Sequence, residues 1–277
     1  MPLIRERDSK RLHVKSKLMG ESLVGKAFLK GLEYGPSFRA LPDVNVIKIG
    51  GQSISDYGAR ALLPVLDEIV QNKIRHKMIL STGGGTRSRH VYAIAMELGM
   101  PTGILSKLGQ SVSEQNALMI ATFLMPHGGI KVGHDDIPKL AAYYAQGCIP
   151  VIHGMPPYGY WEQLPEGGRI PPNRTDMGAF LLAEVIGAKR CIFIKDEDGL
   201  YKANPKVVKE PEFIPRIGAS ELIALDLDDI IVERAVLDMI LRSSNVTEVV
   251  IINGLKKGNI TQALEGKEVG TVIYKDI

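Results

Sequence analysis

Two glycine runs, each beside charged residues, are the parts of this sequence with the clearest chemistry. One is Lys48-Ile49-Gly50-Gly51; the other is Gly83-Gly84-Gly85, with Arg87 and Arg89 just beyond it. Glycine lets backbone N–H groups approach an anion closely, and a helix starting at such a turn adds its positive end. Further on, Lys195 precedes the acidic turn Asp196-Glu197-Asp198-Gly199, and Asp176 follows Arg174-Thr175. Lys48 and Lys195 together carry the charge to balance a triphosphate, and Mg2+ in such a site needs only one or two carboxylates besides phosphate oxygens. Asp176, Asp196, Glu197 and Asp198 are the candidates. One glycine pair is explained equally well by a tight turn; two beside lysines point to nucleoside-triphosphate binding. Neither Gly-x-x-x-x-Gly-Lys-Ser/Thr nor Gly-x-Gly-x-x-Gly occurs. The six histidines show no His-x-x-x-His spacing, which argues against a pre-built zinc site.

These residues must be held by strands that end in turns. Val44 to Ile49 is a β-branched run feeding the first glycines, residues 59–71 have apolar residues at helical spacing, and Lys77 to Leu80 reads as a second strand feeding the other glycines. Helices are predicted at 87–98, 113–125, near 137–146, and from Thr175, as N-cap, to Ile186. Strands are predicted at 130–132, 149–152 and 191–194, and the last third reads as helix 233–242, strand 247–252, helix 259–265 and strand 271–274. Strands alternating with helices predict an α/β/α sandwich with ligands at the carboxyl ends of the strands. Met155 to Asn173, rich in proline and glycine and holding Tyr158, Tyr160 and Trp161, reads as a long functional loop.

Composition sets the outer bounds. Hydrophobic residues make up 45% and charged residues 23% of 277, as in an ordinary folded chain. Cys148 and Cys191 both lie in apolar runs and read as buried thiols, not a disulfide. No apolar stretch approaches the ~20 residues that span a bilayer, and the N-terminus lacks the apolar core of a secretory signal, so the sequence reads as cytoplasmic with no membrane partner. The net charge of +3 is unevenly spread: an N-terminal arm, residues 1–40, holds nine Lys/Arg against four Asp/Glu, and the rest 25 against 27. That arm, which also holds Leu18, Leu23, Phe28 and Leu32, is expected to pack on a partner subunit; without a basic stripe in the body, nucleic acid is not expected.

The motifs occur in the order Lys48 to Gly51, Gly83 to Gly85, Arg174-Thr175-Asp176, Lys195 to Tyr201 and Ala203-Asn204-Pro205. In this the chain resembles the amino acid kinase family, UMP kinase-like branch, over residues 41–277. The resemblance implies a three-layer α/β/α sandwich with a mainly parallel central sheet, binding ATP with Mg2+. It implies that Lys48, Gly50 and Gly51 hold phosphates, that Gly83, Gly84 and Gly85 line the transferred group, and that Lys195 neutralises the β/γ region. Asp176 would organise the lysines, Glu197 would hold Mg2+, Tyr201 and Asn204 would flank adenine, and Asp198 and Lys206 would complete the nucleotide site. Within the family, Val46 to Ser53, Gly83 to Tyr92, Gly154 to Tyr158, Ile170 to Ala183 and Lys195 to Lys206 resemble β-type subunits of an oxometalate-storing branch. Such subunits bind ATP and, with a homologous α-type subunit, deposit molybdate or tungstate as polyoxometalate clusters in a hexameric cage. Ser111, Ser113, Glu114, Gln115 and His153 are then the candidate cage-facing contributors. A homo-hexamer, or a nucleoside monophosphate kinase acting on UMP, is the alternative.

Overall fold

The computed structural model describes residues 37–276 and two short strands, β1 (Leu3–Arg5) and β2 (Leu12–Val14). The chain divides into two compact units, Met1–Ser37 and Phe38–Ile277. In the first, β1 and β2 pair antiparallel, Leu3 opposite Val14 and Arg5 opposite Leu12. The arm's apolar residues Leu18, Leu23, Phe28 and Leu32 lie outside the described residues.

The second unit is built on an eight-stranded sheet. Its strands are β3 (Val44–Ile49), β4 (Lys77–Thr82), β5 (Gly129–Lys131), β6 (Ile149–His153), β7 (Arg190–Lys195), β10 (Arg216–Gly218), β11 (Glu248–Asn253) and β12 (Thr271–Tyr274). Their order is β10-β12-β11-β7-β3-β4-β6-β5. The six from β11 to β5 are parallel; β12 runs antiparallel to β11, and β10 parallel to β12. A separate hairpin joins β8 (Leu200–Tyr201) to β9 (Phe213–Ile214). The parallel strands are almost continuously apolar because helices cover both faces. Val44, Val46, Cys191 and Phe193 pack with α5 (Thr175–Ile186), α6 (Ala219–Leu225) and α7 (Arg234–Arg242). Ile47, Ile49, Ile192 and Ile194 pack on the other face with α1 (Ala59–Asn72), the second half of α3 (Thr102–Leu124), and α8 (Asn259–Glu265). This is the expected three-layer, mainly parallel α/β/α sandwich. Outside it, α2 (Gly85–Glu97) packs on the first half of α3, and α4 (Leu140–Ala145) precedes β6.

Three readings of the sequence need correction. The helix placed at 113–125 starts at Thr102 and ends at Leu124, so Gly109 to Val112 is helix interior as well. Gly103 and Gly109 lie where neighbours touch α3: a Cβ would lie 2.2 Å from the Tyr160 carbonyl oxygen at Gly103 and 2.0 Å from the Tyr92 hydroxyl at Gly109. Packing overrides their low helix propensity. Thr175 does not cap α5; the N-cap position is Arg174, whose side chain makes no capping bond. Cys148 is only half-buried, whereas Cys191 is buried in the sheet.

Helix α8 shows how this fold caps its helices. The buried Glu68 of α1 accepts the backbone N–H of Gly258 (3.0 Å) and of Thr261 (2.7 Å), and the Thr261 hydroxyl (2.8 Å). Glu68→Ala is expected to lower the unfolding free energy by about 1–2 kcal/mol, the usual worth of an N-cap. Urea titrations of the two proteins test this, and coincident curves would remove the cap from the account.

Candidate functional site

Alternation along strands decides where the two lysines go. Lys48 shares its face of β3 with Val44 and Val46, and Lys195 shares its face of β7 with Cys191 and Phe193, so both lie under α5. Asp176, in the first turn of α5, meets them: Lys48 Nζ is 2.6 Å from Oδ1, and Lys195 Nζ is 3.2 and 3.1 Å from the two oxygens. All three are nearly inaccessible, at 4%, 3% and 8% exposure for Lys48, Asp176 and Lys195. Burial alone would push the Asp176 acid up, but Lys195 and Lys48 outweigh it and hold the carboxyl below the usual range. Burial pulls the Lys195 ammonium down to about 8 against the opposing pull of Asp176. One carboxylate between two ammoniums leaves a net positive charge aimed at the strand ends.

The glycine runs meet at the same place. A Cβ on Gly51 would lie 2.2 Å from the Gly85 nitrogen and 2.8 Å from the Gly83 carbonyl carbon, and one on Gly83 would lie 2.5 Å from the Gly51 nitrogen. The two loops therefore touch backbone to backbone, which only glycine permits. Gly85 also has φ of +71°, in the left-handed region. Together with Gly50, Gly84, Arg89 and Arg174 these residues line a cavity of about 560 Å3, within the ordinary size range of small-molecule sites.

Tyr201, Asn204 and Lys206 line the far side of the same cavity. Tyr201 is braced edge-on by Phe213 at 5.3 Å, and the Asn204 side-chain oxygen accepts the Lys206 N–H at 2.9 Å. Lys206 pairs with Asp196 (2.9 Å) and Glu197 (3.3 Å), and the Tyr57 hydroxyl donates to Asp196. Asp198 is turned elsewhere, bonded to Asn253 (3.0 Å) and Lys256 (2.7 Å), and does not line the cavity. Among the described residues no cluster of three or more His, Cys, Asp or Glu forms a metal cage, so a cation here would depend on one or two carboxylates and its ligand.

Glu233 is the residue that the sequence reading missed. It precedes α7, yet its carboxylate accepts the backbone N–H of Arg174 (2.9 Å), Asp176 (3.0 Å) and Met177 (3.2 Å), capping α5 from 57 residues away. Burial, then the Asp176 charge, push its acid up. Nothing local in the sequence marks this pairing.

The residues singled out on α3 do not converge. Consecutive helical residues fan out by about 100° each, so Ser113 points away from Ser111, Glu114 and Gln115, which lie on one side of the helix but take different partners. Ser113 is fully buried and donates to the Thr82 carbonyl (2.7 Å); Gln115 accepts from Arg87 (3.0 Å); the Ser111 hydroxyl donates back to the Lys107 carbonyl (3.1 Å). Glu114 alone of the four lines a second cavity of about 370 Å3, with Lys107, Lys131, His134 and His153. His153 shares its face of β6 with Ile149 and Val151, opposite to that of Lys48, and so belongs to this second cavity. Its ring lies edge-on to His134 at 4.5 Å, its Nε2 is 3.8 Å from Glu114, and its Nδ1 is buried with no partner. Burial pulls it down to about 4, which keeps it neutral near pH 7.

Comparison with known proteins fits this geometry. The amino acid kinase family pattern matches residues 43–253. This chain belongs to the amino acid kinase family. Within that family it is 48% identical to the molybdenum storage protein subunit beta of Azotobacter vinelandii over 256 residues, 92% of this chain and 95% of that one. The uridylate kinase of Methanobrevibacter smithii is 28% identical over 82% of this chain and 97% of its own. Among solved structures, the UMP kinase of Bacillus anthracis has a TM-score of 0.66 at 17% identity, covering 86% of this chain and 98% of that one. The uridylate kinase of Archaeoglobus fulgidus has a TM-score of 0.61 at 23% identity, covering 83% and 99%. These two share the fold. No helix among the described residues is long and apolar enough to cross a membrane.

Proposed function

We propose that this protein is a β-type subunit of a cytoplasmic molybdenum or tungsten store, which binds ATP with Mg2+ and uses its hydrolysis to deposit oxometalate clusters in a hexamer with a homologous α-type subunit. The observation that carries this reading is the 48% identity, over nearly the whole of both chains, to a molybdenum storage protein subunit. The uridylate kinases compared are below 30% identical.

The residues present suit the nucleotide. The backbone-to-backbone contact of Gly51 with Gly83 and Gly85 leaves a cradle with no side chain in it, and Lys48 and Lys195 supply charge beside it. Lys48, Gly50, Gly51 and Gly83 to Gly85 would hold the phosphates, Tyr201 and Asn204 the base, and Glu197 beside Asp196 the Mg2+. When bound, the metal would neutralise charge on the phosphate oxygens. Asp176 keeps both lysines oriented toward the strand ends and dry. The second cavity is the candidate for the cargo: Lys107 and Lys131 offer cationic donors to an oxoanion, with Glu114 and Asp135 beside them, and His153 lines it with a neutral ring.

Elemental analysis of protein purified from molybdate-grown cells, alone and with its α-type partner, tests this. Molybdenum in clear molar excess over subunits is expected; sub-stoichiometric metal in both preparations would sink the reading. The intact set of Lys48, Asp176 and Lys195 favours one alternative, a UMP kinase. Phosphoryl transfer from ATP to UMP at about 1–100 per second would establish it instead.

A further inference from the structure

A residue at an N-cap position ordinarily bonds the first turn of its own helix. Glu233 holds that position in α7, but its side chain makes no capping bond there. Its carboxylate instead takes three backbone N–H groups at the start of α5, including that of Asp176, while its own backbone N–H donates to Asp176 Oδ2 at 3.2 Å. Asp176 is thus gripped twice by one residue, through its backbone and through its side chain. The remaining contacts of the Asp176 carboxylate are Lys48 and Lys195.

Glu68 also caps a distant helix, but it touches neither lysine nor Asp176. A cap alone needs no charge, since Ser, Thr or Asn serves equally well. Here a second carboxylate is buried beside the first, where burial and the Asp176 charge work against it and the Arg174 guanidinium, 3.8 Å away, offsets them in part. Such a local conflict is expected where position matters more than stability.

We propose that Glu233 is a positioning residue of the triphosphate site, acting through Asp176 to fix the spacing of Lys48 and Lys195. The inference rests on the reading of this cavity as an ATP site. Loss of the tether frees Asp176 to turn, and the two ammoniums then move apart or off the β/γ-phosphate region. A helix cap without this role would alter only the fraction of competent protein, which weakens every nucleotide by the same factor.

Calorimetric titration of the full chain with ATP and with AMP, for wild type and Glu233→Gln, separates the two. The variant is expected to bind ATP about 10-fold more weakly, as for the loss of one charge-assisted hydrogen bond, with AMP changed by less than about 2-fold. Equal weakening of both nucleotides, or no weakening of either, overturns the proposal while leaving the ATP site standing. A wild-type chain that binds no ATP overturns both. If Glu233→Gln does not fold, Glu233→Asp, which keeps the charge but is one methylene shorter, is judged by the same ratio.

Discussion

Asp176→Asn should destabilise the fold by about 3–5 kcal/mol, as expected when one partner of a buried ion pair is removed and its charged neighbours stay behind. Two ammoniums would then lie buried under α5 with an amide between them. The pH dependence should change shape as well. In the wild type the Asp176 acid is held below its ordinary value, so the unfolded chain binds more protons as pH falls through the carboxylate range. Stability that is complete above about pH 4 is therefore lost below it. Asp176→Asn removes this acid limb.

Lys195 contributes at the other end. With its folded value pulled down to about 8, below that of the unfolded chain, wild-type stability rises with pH from about 8 to the ordinary lysine value. Without Asp176 the window opens at lower pH, so the Lys195 contribution should rise across neutrality in the variant, where in the wild type it is flat. Urea unfolding of both proteins from about pH 2 to about pH 10 checks this. Parallel profiles, or a difference under about 1 kcal/mol at pH 7, would mean that the buried triad does not hold as described.

Gly51→Ala is the second large effect. The added methyl meets three backbone atoms of the opposite loop, which have no rotamer to escape into: the Gly85 nitrogen at 2.2 Å, the Gly85 Cα at 2.7 Å and the Gly83 carbonyl carbon at 2.8 Å. The loops must part by about an ångström, a displacement that costs on the order of 100-fold in a positioned site. ATP affinity should fall by about that factor, with about 1–3 kcal/mol of stability lost to overpacking. Gly84→Ala is the matched comparison. Its methyl meets first the Ser88 hydroxyl, which can turn, and then the Ser88 Cβ at 2.9 Å, which needs a small shift of one helix residue and no parting of the two loops, and Gly84 has an ordinary helical φ of −84°. Its effect on ATP affinity should stay within about 3-fold. Equal losses in the two variants would show that the cradle does not depend on the contact between the loops.

Much of the site was legible because strands and turns obey local rules. Lys48 and Lys195 each end a β-branched run, and alternation puts both on the face of their apolar neighbours two residues back. The glycines announced themselves by type. What they did not announce was that Gly51 is opposed by Gly83 and Gly85, or that Gly103 and Gly109 sit inside a helix because Tyr160 and Tyr92 press on it. Within Ser111 to Gln115, Ser113 turns into the core while Glu114 lines the second cavity, and in the acidic turn Asp198 points away from the cavity that Asp196 and Glu197 line: neighbours in sequence need not share a direction, on a helix or in a turn.

By itself the sequence determined the alternation of strands and helices, the identity of the glycine turns at the strand ends and the charge available there, since each depends on neighbours within a few residues. Only the tertiary structure decided which carboxylate meets which cation. Asp176 bridges two strands, Glu233 caps a helix that begins 57 residues before it, and His153 lies across the sheet from the lysines beside His134 and Glu114. Those pairings depend on burial. Removed from water, each charge and each open helix end must find a partner wherever the fold brings one, and distance along the chain carries no information about that.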